Sequence, residues 1–180
     1  MAMGENEIGW FSPDPRGIIP LETFHVPHGL KRTLKRALFE MRIDAAFGDV
    51  MRGCAARDET WIDANILESY EALHRLGFAH SVETWRGGKL VGGLYGVAIR
   101  GAFFGESMFS RETDASKVAL VHLVERLRLR GFRLLDTQWT TPHLERFGAV
   151  AIPKRHYMQR LKQALAENAS FDSPSPEPGG

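Results

Sequence analysis

The chain reads as an α+β protein, a mixed sheet flanked by helices, on three observations. A glycine-punctuated run over residues 81–105 alternates like paired strands, and the turn Arg86-Gly87-Gly88 breaks it. One long segment, Ala115–Arg130, carries apolar residues at helical spacing. A short apolar stretch, Leu134–Gln138, follows with strand character. At 180 residues a single core is expected.

Taken in order, residues 1–28 read as loop, because Ser12-Pro13-Asp14-Pro15-Arg16-Gly17 cannot continue a helix or a central strand. A basic helix is expected from Gly29 to Ala37, then a short strand over Phe39–Ile43. Phe47, Val50, Met51 and Cys54 give Ala45–Ala56 a helical apolar face. Asp63 is placed to cap a helix that Gly77 stops, with Ile66, Leu67, Tyr70 and Leu73 on one side. Ser81–Trp85 and Lys89–Ile99 form the hairpin, and Arg100-Gly101 turns the chain into Ala102–Gly105. Val118, Val121, Leu123, Val124 and Leu127 give the long helix its apolar side. After Leu134–Gln138 come a short helix over Pro142–Phe147 and a last helix from Pro153 to Leu165, with Pro in its first turn. Residues 29–165 form the folded domain. Residues 166–180 end in a Pro-, Ser- and Gly-rich stretch from Phe171 and are expected to be disordered. This order fits a mixed-sheet acyltransferase of the N-acetyltransferase type.

Composition narrows the function. Lys and Arg total 23 against 22 Asp and Glu, so overall charge does not mark a nucleic-acid binder. Locally, Lys31, Arg32, Lys35 and Arg36 put four cations on one short helix, and Lys154, Arg155, Arg160 and Lys162 form a second group. Such clusters suit phosphate contacts and equally suit a solvated helix face. No apolar run is long enough to span a bilayer and no leader-like segment opens the chain, so a cytoplasmic protein without a membrane partner is expected. The one cysteine, Cys54, lies on an apolar helix face and reads as structural. Seven histidines show no metal spacing, so no metal site is expected.

Three polar residues stand out. Glu106 falls in a loop at a strand end, and Asp136 and Gln138, two apart, share a strand face. An acid beside an amide can hold and orient an amine, and a second acid can meet a positive charge. That pattern suits aminolysis of an activated ester, in which orientation carries most of the rate. No nucleophile–base motif supports a covalent intermediate. Coenzyme A would require a glycine-rich loop opening a helix, whereas Arg111-Glu112-Thr113-Asp114 precedes the long helix. No cofactor is expected.

The chain also carries Trp10-Phe11-Ser12-Pro13-Asp14-Pro15-Arg16, Ala46-Phe47-Gly48, Gly53-Cys54-Ala55, Thr60-Trp61-Ile62, Ala79-His80-Ser81-Val82-Glu83, Leu90–Val97, Gly105–Ser110 and Ala115-Ser116-Lys117. Together, over about Trp10 to Leu161, these resemble the leucyl/phenylalanyl-tRNA–protein transferases. The resemblance implies transfer of Leu or Phe from Leu-tRNA or Phe-tRNA to proteins with N-terminal Arg or Lys, marking them for N-degron proteolysis. It also implies an N-acetyltransferase-like fold with neither coenzyme A nor metal. By the same resemblance, Glu106 binds the acceptor's basic residue, and Asp136 with Gln138 orients and deprotonates the amine. Leu94, Phe103, Gly105, Met108, Leu120, Leu123, Leu127 and Leu135 would form the aminoacyl side-chain pocket. Trp61 and Tyr70 would lie near the terminal adenosine, and the basic residues 31, 32, 35, 36, 154 and 155 would bind tRNA. Three departures accompany the likeness. Leu123 and Leu127 stand where well-known members carry Phe, and Thr141 replaces an Asn. The small N-terminal domain expected before Trp10 is represented only by residues that resemble its end, and reduced donor binding is expected from this. A coenzyme A-dependent N-acetyltransferase and a weakly active RNA- or peptide-binding remnant are the competing readings.

Overall fold

The computed structural model describes residues 12–56 and 60–172, together with the backbone of two short paired strands, β1 (Ala2–Gly4) and β2 (Glu7–Ile8). Trp10, Phe11 and the tail beyond Asp172 lie outside the described residues. The remaining elements are β3 (Arg16–Ile19), α1 (His28–Lys35), β4 (Glu40–Ile43), α2 (Phe47–Ala55), α3 (Ala64–Arg75), β5 (Ala79–Arg86), β6 (Lys89–Ile99), β7 (Ala102–Ser110), α4 (Ala115–Leu129), β8 (Leu134–Gln138), α5 (Pro142–Glu145), β9 (Val150–Ile152) and α6 (Lys154–Ala166).

Seven strands make one mixed sheet in the order β4-β5-β6-β7-β8-β3-β9. Every neighbouring pair is antiparallel except β7 with β8, which α4 joins as a crossover. The β5–β6 hairpin closes as expected: Gly87 and Gly88 both take positive φ, which a two-residue turn between twisted strands requires. Asp63 caps α3 by accepting the Ile66 N–H at 2.8 Å, and Gly77 ends it at φ +77°.

Alternation along the strands sorts the core onto two faces. Ile19, Leu94, Phe103 and Leu135 pack with α4 and with Leu30 of α1 on one face. Their neighbours Ile18, Phe104 and Leu134 meet Tyr157, Leu161 and Ala164 of α6 on the other. Tyr95 and Phe109 pack with α2 and α3 on that same second face, farther along the sheet. The candidate site forms beside β7 and β8, where residues of β6, β7, β8 and α4 line a cavity next to Glu106.

Four expectations need correction. The loop expected over residues 1–28 contains β3, which lies inside the sheet between β8 and β9. Pro15 and Pro20 bracket this strand without entering it, so their missing donors break no ladder. Three-residue β9 was too short to show a period. Strand β7 runs on to Ser110 instead of stopping at Gly105. Finally, Phe171 is 2% exposed and stacks on His80 at 4.4 Å, so ordered packing continues past residue 166.

Candidate active site

The site begins where β7 and β8 part. Their parallel ladder covers Ala102↔Leu134, Phe103↔Leu135 and Phe104↔Asp136, and then ends. On β7 the register with β6 jumps from Gly96↔Gly105 to Tyr95↔Ser107, leaving Glu106 as the extra residue of a bulge. The bulge re-aims Glu106 toward β8, so it belongs to a strand and not to the strand-end loop read from sequence.

On β8 the departure is sharper. Gln138 takes φ +64°, and the Trp139 N–H donates to the Thr137 carbonyl at 2.7 Å, closing a tight turn on Gln138. A positive φ costs a non-glycine residue of order 1–3 kcal/mol, so its surroundings must hold it. Two features do. The Gln138 N–H donates to Asp136 Oδ1 at 2.7 Å. Gly17 of β3 lies under the turn, and a Cβ there would stand 2.8 Å from the Thr140 nitrogen and closer still to the Trp139 carbonyl.

Asp136 is fully buried. Its Oδ2 accepts from Arg16 Nη2 at 2.8 Å and from the Tyr157 hydroxyl at 2.6 Å, while Arg16 Nε lies 3.1 Å from both oxygens. With the Gln138 N–H added, the carboxylate's acceptor capacity is spent on holding β3, β8 and α6 together. Burial works against the Arg16 charge, but Asp136 outweighs it and Arg16 binds its proton more firmly than usual. Burial, with Asp136 adding, likewise pushes the Tyr157 phenol up and keeps it a donor.

Gln138 turns its side chain the other way: Nε2 donates to Glu106 Oε2 at 3.1 Å. Asp136 and Gln138 are thus linked through the backbone, and side chain to side chain the partner of Gln138 is Glu106. Tyr70 of α3 also hydrogen-bonds Glu106. Burial pushes the Glu106 carboxyl above the usual glutamate range, against the pull of the bonds from Tyr70 and Gln138. Burial also raises the Tyr70 phenol, and Glu106 adds to that rise.

Beside Glu106 opens a cavity of about 280 Å³. Six of the residues expected to hold an aminoacyl side chain line it: Leu94, Gly105, Met108, Leu120, Leu123 and Leu135. Phe103 and Leu127 do not, being wholly buried in the core beneath. Sequence reasoning missed Thr137, His143 and Leu144 on the same wall. Thr141, the departure noted above, also lines the cavity and caps α5 by accepting the Leu144 N–H at 3.3 Å.

The other candidates are dispersed. Lys31, Arg32, Lys35 and Arg36 are exposed at α1, on the α4 face. Lys154 and Arg155 are exposed at the start of α6, on the opposite face, so the structure does not bring the two groups together. Trp61 is half-buried against the α2–α3 cluster. Tyr70 reaches the site, edge-on to Tyr95 at 5.4 Å. Cys54 is buried. Among the described residues one group could offer metal-ligand atoms together, Asp44, His80 and Asp172. The His80 ring is already bonded there, Nδ1 to Asp44 at 2.7 Å and Nε2 to the Gly77 carbonyl at 3.2 Å.

Arg16 and Tyr157 are the main residues that sequence reasoning missed. One signal pointed to Tyr157: it shares the apolar stripe of α6 with Leu161 and Ala164, and a tyrosine facing a core needs a partner for its hydroxyl.

The arrangement is an apolar cavity ending at Gln138, whose backbone is held by the buried Asp136 and whose side-chain amide donates to Glu106. Comparison with known proteins gives the family. The family described as leucyl/phenylalanyl-tRNA protein transferase matches residues 18–162. A leucyl/phenylalanyl-tRNA–protein transferase of Paramagnetospirillum magneticum is 59% identical over 172 residues, covering 93% of this chain and 82% of that protein. Those of Herpetosiphon aurantiacus and Phenylobacterium zucineum are 56% and 62% identical, covering 93% and 88% of this chain and 88% and 74% of their own lengths. The chain belongs to the leucyl/phenylalanyl-tRNA–protein transferase family.

Proposed function

We propose that the chain transfers Leu or Phe from Leu-tRNA or Phe-tRNA to the N-terminal Arg or Lys of acceptor proteins. The modified proteins would then enter N-degron proteolysis in the cytoplasm. The observation that carries this reading is the apolar cavity ending at the Glu106–Gln138 pair. A volume of about 280 Å³ suits one amino-acid side chain and its ester, and lies below the range of drug-sized sites. No helix of the described residues is long and apolar enough to cross a membrane. The parallel strands that separate after three residue pairs, with a bulge beside the gap, support an N-acetyltransferase-type fold.

The chemistry needs little acid–base help. An α-amine has a pKa of about 7.7–8.0, so a useful fraction is already neutral at pH 7. Its nitrogen attacks the ester carbonyl carbon, the new C–N bond forms, the bond to the ribose oxygen breaks, and the amine proton ends on that oxygen. Glu106 as a carboxylate can only accept, so it fixes Gln138 with its NH2 inward. The Gln138 amide oxygen is then left to accept the amine N–H and set its line of attack. Glu106, a half-buried acid at the cavity, is placed to meet the acceptor's cationic side chain. Asp136 serves as the anchor that holds Gln138 at its strained φ.

A coenzyme A donor is disfavoured by the start of α4, where Asp114 at φ +68° and Glu112 stand where a pyrophosphate would need glycine amides. The test offers labelled Leu-tRNA, Phe-tRNA and acetyl-coenzyme A separately with a peptide beginning in Arg. Label should pass from the two tRNAs alone. Transfer from acetyl-coenzyme A, or from none of the three, would refute the proposal.

A further inference from the structure

Three cavities meet at His143 of α5. It lines the apolar cavity of about 280 Å³. It also lines one of about 190 Å³ with Lys117, Arg146 and Asp114, and one of about 410 Å³ with Ser110, Arg111 and Ser116. Among the described residues no other side chain lines all three. Its Nε2 is shielded from solvent and has no hydrogen-bond partner, while its ring stands edge-on to Phe147 at 5.6 Å. Such a nitrogen costs stability unless something binds it, so its place at a junction of cavities points to a ligand.

The surroundings say which kind. Burial, with the charges of Lys117 and Arg146 adding, pushes the imidazole below its usual range and keeps it neutral. The charged groups around it are Asp114 and Lys117 at the start of α4, Arg146 at the end of its own helix, Arg111 in the third cavity, and Glu106 across the apolar cavity. Asp114 is engaged by Lys117 at 2.7 Å and by the Thr33 hydroxyl at 3.0 Å. Two cations against one carboxylate leave the smaller cavity positive. An aminoacylated nucleotide has the matching order of groups: an apolar side chain, then a neutral polar ester and ribose, then a phosphodiester.

We propose that His143 is a donor-contacting residue, hydrogen-bonding the ester–ribose junction of aminoacyl-tRNA where the apolar cavity opens toward Lys117 and Arg146, which take the adjoining phosphate. This rests on the aminoacyl-tRNA reading above. A neutral imidazole can both donate to and accept from hydroxyl and ester oxygens, which suits that junction. Phosphate suits the planar donor fork of Arg146.

The test compares leucyl-adenosine esters with and without a 5′-phosphate as donors, each with an Arg-initiated peptide. Arg146→Ala should raise KM for the phosphorylated donor about tenfold, as loss of a charge-assisted contact at an exposed site does, and leave the other unchanged. His143→Ala should raise KM for both donors, with His143→Gln retaining part of the affinity and acceptor KM unmoved. Equal effects of Arg146→Ala on the two donors, or an unchanged donor KM in His143→Ala, would overturn the proposal. If the wild type transfers from neither donor, the enzymatic reading falls instead. The subsite is then decided by binding: adenosine 5′-phosphate should shift the His143 ring resonances in the wild type more than adenosine does, and an equal response would reject it.

Discussion

Asp136→Asn separates two roles that a carboxylate beside an amide could play. If Asp136 were a proton relay, the change would spare the fold and remove turnover. The geometry assigns it structural work: a fully buried carboxylate that accepts from Arg16, Tyr157 and the Gln138 N–H. The Arg16 side chain is itself only 17% exposed. Breaking a buried pair by neutralising one partner costs about 3–5 kcal/mol, because the other charge stays behind. For a chain of this size each kcal/mol lowers Tm by about 2–4 °C, so a fall of roughly 6–20 °C is expected. Gln138 would at the same time lose one of the features holding its positive φ, so kcat should drop with the amide misplaced. Gln138→Ala should lower kcat with a much smaller change in Tm, since its side chain makes one bond, to Glu106. The assay is calorimetry beside single-turnover transfer for both variants. An Asp136→Asn protein with unchanged Tm and abolished chemistry would refute the anchoring role.

Three further outcomes are expected. Gly17→Ala should displace the Trp139–Thr140 turn and lower kcat with little effect on acceptor KM; a wild-type rate would show that the turn does not position Gln138. For Glu106, a folded pKa above the ordinary glutamate value of 4.5 means the native state holds this proton more tightly than the unfolded chain. Stability therefore falls as pH rises from 4.5 through the raised value. Glu106→Gln should thus match or exceed the wild-type Tm at pH 7 while losing about 10- to 150-fold in kcat/KM for Arg-initiated peptides. The acidic limb of the wild-type profile, reporting the free enzyme, should vanish in that variant; a retained limb would assign it to another group. Replacing Lys31, Arg32, Lys35 and Arg36 with Ala should weaken all tRNA donors alike and flatten the salt dependence, and an unaltered slope would mark α1 as merely solvated.

What could be read from sequence followed from local chemistry. The cap at Asp63, the Gly87-Gly88 turn and the α4 stripe depend on neighbours a few residues away, and all three stand in the structure. Strand β3 was hidden because Pro13 and Pro15 dominate its approach and only Ile18 and Ile19 mark it as core. The Asp136–Gln138 spacing drew attention to the site but suggested side chains in register on a flat strand. Arg16 lies 120 positions from Asp136, and Tyr157 lies 21, so no window around Asp136 could have shown that its oxygens were taken. The Glu106 bulge likewise depends on the register of β6, which no local pattern encodes. The buried Glu83 in the motif at residues 79–83 shows the converse. Its carboxylate accepts the Ala46 N–H at 2.7 Å, the Ser81 hydroxyl at 2.9 Å and Trp85 Nε1 at 2.8 Å, so it works in packing, away from chemistry.

The central claim is that the donor's side chain fills the cavity of Leu94, Leu120 and Leu123 while its carbonyl meets Gln138. It is tested most directly by a crystal structure with a non-hydrolysable 3′-phenylalanylamido-adenosine. The expected result is the phenyl ring between those three leucines and the amide carbonyl within hydrogen-bond reach of the Gln138 turn. A ring bound elsewhere, with the cavity empty and Glu106 still bonded to Gln138 and Tyr70 alone, would contradict it.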